Sequence, residues 1–136
     1  MQDLDTYLDH ALSRPWAWGG MDCCFFAGDW IADRTGLDPL APYRGIYGTE
    51  FAARRLIVAR GGLNAMVALE MERCGFRTAI EPEHGDIAVM NIPGDRTGSA
   101  VAGAAVVIRC ATWWLGRTQT GVAGFHGVPA TAWRVA

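Results

Sequence analysis

A chain of 136 residues with 51% hydrophobic content and six tryptophans is sized and composed for one compact domain, residues 1–136, with a real core. Its formal net charge of -2 excludes nucleic acid as a default partner, because counterion release needs a clustered basic surface. All twelve basic residues are arginine, a pattern read as base-composition bias and not as a phosphate-binding device.

The opening "MQDLDTYLDHALSRP" is acidic and amphipathic and lacks the basic n-region and apolar run of a signal peptide, so synthesis in a reducing cytoplasm is expected. Leu4, Tyr7, Leu8, Ala11 and Leu12 follow helical spacing and predict a first helix that Pro15 stops, with His10 on its surface. Next comes "WAWGGMDCCFF". Gly19-Gly20 breaks the chain, Asp22 is a good N-cap, and "CCFFAGDWIADRTG" reads as a largely buried helix ending near Gly36. Cys23 then falls in the first turn, where the helix dipole favours a thiolate. Cys23, Ala27, Trp30 and Ile31 share one stripe, while Cys24 is rotated by about 100° onto another face. Two readings stay open: an activated nucleophile at Cys23, or two small buried hydrophobes.

"GLDPLAPYRGIYG" reads as an ordered loop, after which Thr49 caps "EFAARRLIVAR", with Ala52, Ala53, Leu56 and Ile57 buried and Glu50 pairing with Arg54 outside. Gly61-Gly62 separates this from a helix whose apolar face is Leu63, Met66, Val67, Met71 and Cys74, stopped by Gly75. From Phe76 the period becomes extended, and "FRTAI", "DIAVMNI", "AVAGAAVVIRC", "ATWWLG", "GVAGF" and "TAWRV" are candidate strands divided by glycines and a "PGD" turn. Trp113, Trp114 and Trp133 are expected to pack within that sheet. Helices first and strands afterwards predict an α+β domain with an antiparallel sheet. No segment reaches the ~20 consecutive apolar residues of a membrane span. Four cysteines, at 23, 24, 74 and 110, make no disulfide framework, no zinc-ligand spacing occurs, and neither a metal nor a cofactor is expected.

Taken together, "WAWGG" before the turn, "DC" opening a buried helix and "HGDIAVM" opening the first central strand resemble the NlpC-like branch of the papain-fold cysteine peptidases, which cut cell-wall peptides. A closer likeness is to small proteins encoded among the tail genes of phages and gene transfer agents, through "WGGMDCCFF", "TGLDP", "RGIYGT" and "AWRV". The first resemblance implies a papain-like fold, N-terminal helices packed on a C-terminal antiparallel sheet, with the nucleophile position at Cys23 and the usual small serine replaced by Cys24. It implies a histidine at the start of the strand after "DIAVMNI", where Ser99 to Gly103 supply none, and an orienting polar residue near "RCATWWLG", where no acid, Asn or His occurs. His84, before Gly85-Asp86, and His126, in "GFHGVP", are the remaining candidates for the base, although a lone loop histidine is usually solvated. Asp22 and Asp86 read as capping and turn carboxylates.

A cysteine without imidazole lacks both the group that holds the thiolate and the acid that protonates a leaving amine. The leading expectation is therefore a pseudoenzyme: a structural or assembly component of a phage-type tail near its tip, made without a signal peptide, incorporated into the particle and working by contact with other tail proteins. Loops after Leu115, carrying Arg117, Phe125 and His126, are expected to meet neighbours. The alternative is an active cysteine hydrolase acting on peptidoglycan stem peptides through Cys23. A redox role for Cys23-Cys24 is a third reading, disfavoured by the absence of CxxC spacing.

Overall fold

A computed structural model describes residues 3–94 and 97–135. Four helices precede a five-stranded sheet, as the change of period near Phe76 implies. Helix α1 (Leu4–Leu12) starts where the Asp3 carboxylate accepts the Thr6 N–H at 2.8 Å. It buries Leu4, Tyr7 and Ala11 and leaves Leu12 exposed. Helix α2 (Cys23–Thr35) is the centre of the molecule. Cys23, Cys24, Phe25, Phe26, Ala27, Trp30 and Ile31 are all buried, so most of its circumference is core and not a single stripe. Truncating Phe25 or Phe26, both without solvent exposure, would cost about 3–5 kcal/mol each. Gly36, in the left-handed region at φ 78°, closes the helix.

A 3-10 turn (Ala41–Tyr43) interrupts the ordered loop before α3 (Glu50–Ala59), which Thr49 caps and on which Glu50 and Arg54 pair at 3.4 Å. Helix α4 (Leu63–Arg73) buries Leu63, Met66, Val67 and Met71. Cys74 departs from its expected place in the core: it is the half-buried C-cap, because the helix ends one residue before it.

Strands β1 (Ile87–Asn91), β2 (Ala104–Cys110), β3 (Trp113–Arg117), β4 (Val122–Phe125) and β5 (Thr131–Trp133) lie in the order β4-β3-β2-β1-β5, every neighbouring pair antiparallel. Alternation sorts the residues. Ile87, Val89, Val106, Ile108 and Trp133 face the helices and complete the main core, while Ala88, Met90, Ala105, Val107, Trp114 and Ala132 form a second layer on the opposite face. Val89 pairs with Val106, and Ala88 with both Val107 and Ala132, which fixes this register.

Two expected strands are corrected. "FRTAI" is not one: it meets the β5 edge through the Thr78–Trp133 bridge, the Ala79 N–H on the Ala132 carbonyl and the Arg134 N–H on the Arg77 carbonyl, covering that edge as a single rail. The strand expected from Ala100 begins at Ala104, because Ala102 (φ 56°) and Gly103 (φ 78°) turn the backbone into the left-handed region. Of the "PGD" turn, Asp95 lies outside the described residues. Trp114 and Trp133 are buried in the sheet as expected; Trp113 is instead 46% exposed.

Candidate functional site

The turn into α2 is assembled around one carboxylate. Asp22 has no solvent exposure. Its Oδ1 accepts the N–H groups of Cys24 and Phe25, both at 3.0 Å, which is the N-cap the sequence implies. Its Oδ2 accepts the Gly19 N–H at 3.0 Å and the Tyr47 hydroxyl at 2.7 Å. Four donors on two oxygens satisfy the buried charge. Gly19 can be nothing else: at φ +81°, a Cβ there would sit 2.1 Å from the Tyr47 carbonyl oxygen. The Gly19 carbonyl in turn accepts the Gly45 N–H at 3.0 Å.

Cys23 opens the helix beside this clasp and is 1% exposed. Its sulfur lies 4.0 Å from that of Cys24 and hydrogen-bonds to no imidazole among the described residues. The Cys24 thiol is pushed well above the usual range, first by its hydrogen bond with Cys23, then by burial and by the neighbouring Asp22 charge. Cys24 is therefore a neutral thiol near pH 7. Asp22, Cys23 and Cys24 offer ligand atoms within 4.8 Å of one another, yet both Asp22 oxygens are already engaged twice, so a metal would have to displace the cap that starts the helix.

The candidate bases lie elsewhere. His84 is exposed, and its Nδ1 accepts the Ala111 N–H at 3.2 Å. It borders a hollow with Asp3, Leu4 and Trp30, whose indole donates to the Gly85 carbonyl at 2.8 Å. Trp30 is two turns, roughly 10 Å, farther along α2 than Cys23. His126 packs on Trp113 across the β3–β4 edge, ring centroids 3.8 Å apart. Ser99, the first residue of the stretch Ser99 to Gly103 where the family resemblance implies a base, is buried, and its hydroxyl donates to the Arg117 carbonyl at 3.1 Å. Ala104, where β2 starts, carries no polar group either.

Arg117 departs from the expectation that it meets neighbours. It is buried, and its guanidinium donates to the carbonyls of Arg14 (2.8 Å), Gly121 (3.1 Å) and Thr118. Burial pulls its pKa down. Three backbone acceptors compensate for the missing carboxylate.

The short segments that stood out in the sequence meet one another in pairs. "WGGMDCC" meets "RGIYGT" through Asp22–Tyr47 and Gly19–Gly45. "RGIYGT" meets "TGLDP" through Arg44, which grips Asp38 at 2.7 and 3.1 Å, reaches Asp29 at 2.6 Å and lies over the Phe25 ring at 4.8 Å. "HGD" meets "AWRV": Asp86, 1% exposed, accepts Arg134 Nε at 2.9 Å, the Val135 N–H at 3.1 Å and the Glu83 N–H at 2.8 Å. Asp38, Arg44, Tyr47 and Arg134 were left without a role by the sequence, although all four sat inside its quoted motifs.

Among the described residues no helix is long and apolar enough to cross a membrane. No curated protein and no solved structure matches the chain. Residues 1–135 do match the family described as "Domain of unknown function (DUF6950)", and the chain belongs to that family.

Proposed function

We propose that this protein is a contact-making structural component of a phage-type or gene-transfer-agent tail, near its tip, built on an NlpC-like scaffold without a working cysteine–histidine pair. One observation carries the reading: the polar groups of the motifs are spent on one another. Asp22, Tyr47, Arg44, Asp38, Asp86 and Arg134 hold loops together, and the Cys23 sulfur beside them is closed to solvent and hydrogen-bonds to no imidazole among the described residues. A nucleophile needs a reachable sulfur and a proton acceptor within hydrogen-bond range.

The fold supports the NlpC-like part of this reading. A helix opened by Asp-Cys packs on the middle of an antiparallel sheet, and the stretch Ser99 to Gly103, where the resemblance implies a base, carries no histidine. The tail assignment is supported by the likeness of the four short segments to proteins encoded among tail genes. Surface for partners is present on α3 and its flanks: Ile46, Phe51 and Val58 are 64–71% exposed.

The test pairs deletion of the gene with Cys23→Ala in a tail-assembly and infectivity assay. Deletion blocks assembly or infection, whereas Cys23→Ala leaves both near wild type. Loss of infection by a folded, incorporated Cys23→Ala protein, together with cleavage of a cell-wall stem peptide by the wild type, would instead establish the hydrolase.

A further inference from the structure

The sheet face turned away from the helices carries a groove. The small side chain of Ala132 lies at its floor, and Trp114 rises at one side. The rail from Thr78 to Pro82 and the loop from Gly127 to Thr131 make the two walls, enclosing about 440 Å³. That is the size of a small-ligand pocket. Ile80 and Val128 stand on the rims, 97% and 94% exposed.

One charge enters this apolar space. Arg109 stands opposite Trp114 in the β2–β3 register, and its guanidinium lies over the indole at 4.9 Å. Its Nε is buried and has no hydrogen-bond partner, and the residue forms no ion pair among the described residues. Arg117 also buries an unpaired Nε, but its two terminal nitrogens reach three carbonyls, whereas the Arg109 guanidinium makes no hydrogen bond among the described residues. A half-buried guanidinium with an unused donor leaves an unmet demand for an acceptor, and stacking on Trp114 holds its plane in place for one.

We infer that the groove binds a monoanionic organic acid, its carboxylate on Arg109 and an apolar body against Trp114 and Ala132. The planar guanidinium matches a carboxylate in a two-point grip. A dianion such as phosphate would bring a second charge against apolar walls with no second cation lining them. The groove lies on the opposite side of the sheet from Cys23, so its occupancy is independent of the function proposed above.

The test uses N-acetyl-leucine and N-acetyl-leucinamide as probes, titrated into the full-length protein and followed by NMR at the Arg109 Nε–H and the Trp114 indole. The acid binds with a dissociation constant on the order of 1 mM or tighter, and the amide at least about tenfold more weakly. Arg109→Gln removes the difference between acid and amide. Val128→Asp, at a rim position too exposed to disturb folding, weakens the acid by roughly threefold to tenfold through like-charge repulsion and leaves the amide unchanged. Equal binding of acid and amide, acid binding that survives Arg109→Gln, or no binding of the acid at about ten times that concentration overturns the proposal.

Discussion

Replacing Asp22 with asparagine isolates what the buried carboxylate contributes, because shape is kept while one oxygen becomes an NH₂ group. The oxygen can still face the Cys24 and Phe25 N–H groups and preserve the cap. The amide nitrogen then faces the Gly19 N–H, a donor against a donor, while Tyr47 can rotate its hydroxyl to accept. One stranded buried N–H costs about 1–3 kcal/mol, and exchanging charge-assisted hydrogen bonds for neutral ones adds about 1 kcal/mol. The expected loss is therefore about 2–4 kcal/mol, a large share of a typical domain's 5–15 kcal/mol. Asp22→Ala adds the lost cap, about 1 kcal/mol, and strands the Tyr47 hydroxyl as well, so little folded protein is expected. Tyr47→Phe removes one donor and leaves three on the carboxylate, for about 1–1.5 kcal/mol. Urea unfolding followed by tryptophan fluorescence measures all three, and the Asp22→Asn/Tyr47→Phe double mutant gives their coupling. An Asp22→Asn protein within about 0.5 kcal/mol of wild type would refute the clasp as the source of stability and return Asp22 to consideration as a chemical group.

Gly19→Ala should abolish soluble folded protein, since its Cβ would sit 2.1 Å from the Tyr47 carbonyl oxygen, whereas Gly45→Ala, at φ +71° in open space, should cost only about 1–2 kcal/mol; thermal melts separate the two. Titration of native protein with a thiol reagent should modify Cys74 and Cys110, which are half-buried, and spare Cys23 and Cys24 until denaturant is added. Fast modification of Cys23 would show the helix start to be open. Stability should fall in alkali. Burial raises the Tyr7 and Tyr47 hydroxyls far above the usual 10.0, with Asp29 adding to it at Tyr7 and Cys24 and Asp22 at Tyr47. Their neutral forms therefore stabilise the fold fully below pH 10.0, and that contribution is lost as pH rises beyond it because only the unfolded chain ionises. By one pH unit above, each tyrosine has removed about 1.4 kcal/mol, read as the difference in melting temperature against pH between the wild type and Tyr47→Phe, which cancels the titration of the cysteines and of Tyr43.

Periodicity carried most of the architecture in this sequence. Asp22, Thr49 and Gly36 marked helix ends because capping is local chemistry, decided by residues one to three apart. "FRTAI" misled because strand propensity reports a half-buried pleated surface, and this segment, though extended, has a partner on one side for only a few residues. "AVAGAAVVIRC" hid a turn inside an apolar run, since Ala102 in the left-handed region has no signature of its own beyond the glycine after it. The site was legible as far as Asp22 and Cys23. Tyr47 was out of reach because the contact that gives it meaning spans 25 residues, and no spacing rule links a tyrosine in one loop to a carboxylate in another. Arg117 and Arg109 read alike in the sequence, both arginines on strands; only the surrounding chain decides that the terminal nitrogens of Arg117 reach three carbonyls while Arg109 lies over Trp114 instead.

The hydrogen bond from Arg117 to the Arg14 carbonyl joins residues 103 apart and fastens the end of α1 to the far end of β3. During synthesis α1 emerges before α2 and the sheet, yet this fastening waits for the 103 residues that follow Arg14, an interval on the order of 10 s at ordinary translation rates. The Tyr7 hydroxyl bond to the Phe26 carbonyl, only 19 residues away, can form long before that and lets α1 rest on α2 in the meantime. A nascent chain stalled before Arg117 would thus hold a docked but unlatched first helix, its Leu4 and Tyr7 side chains within reach of a protease or chaperone that the finished protein excludes.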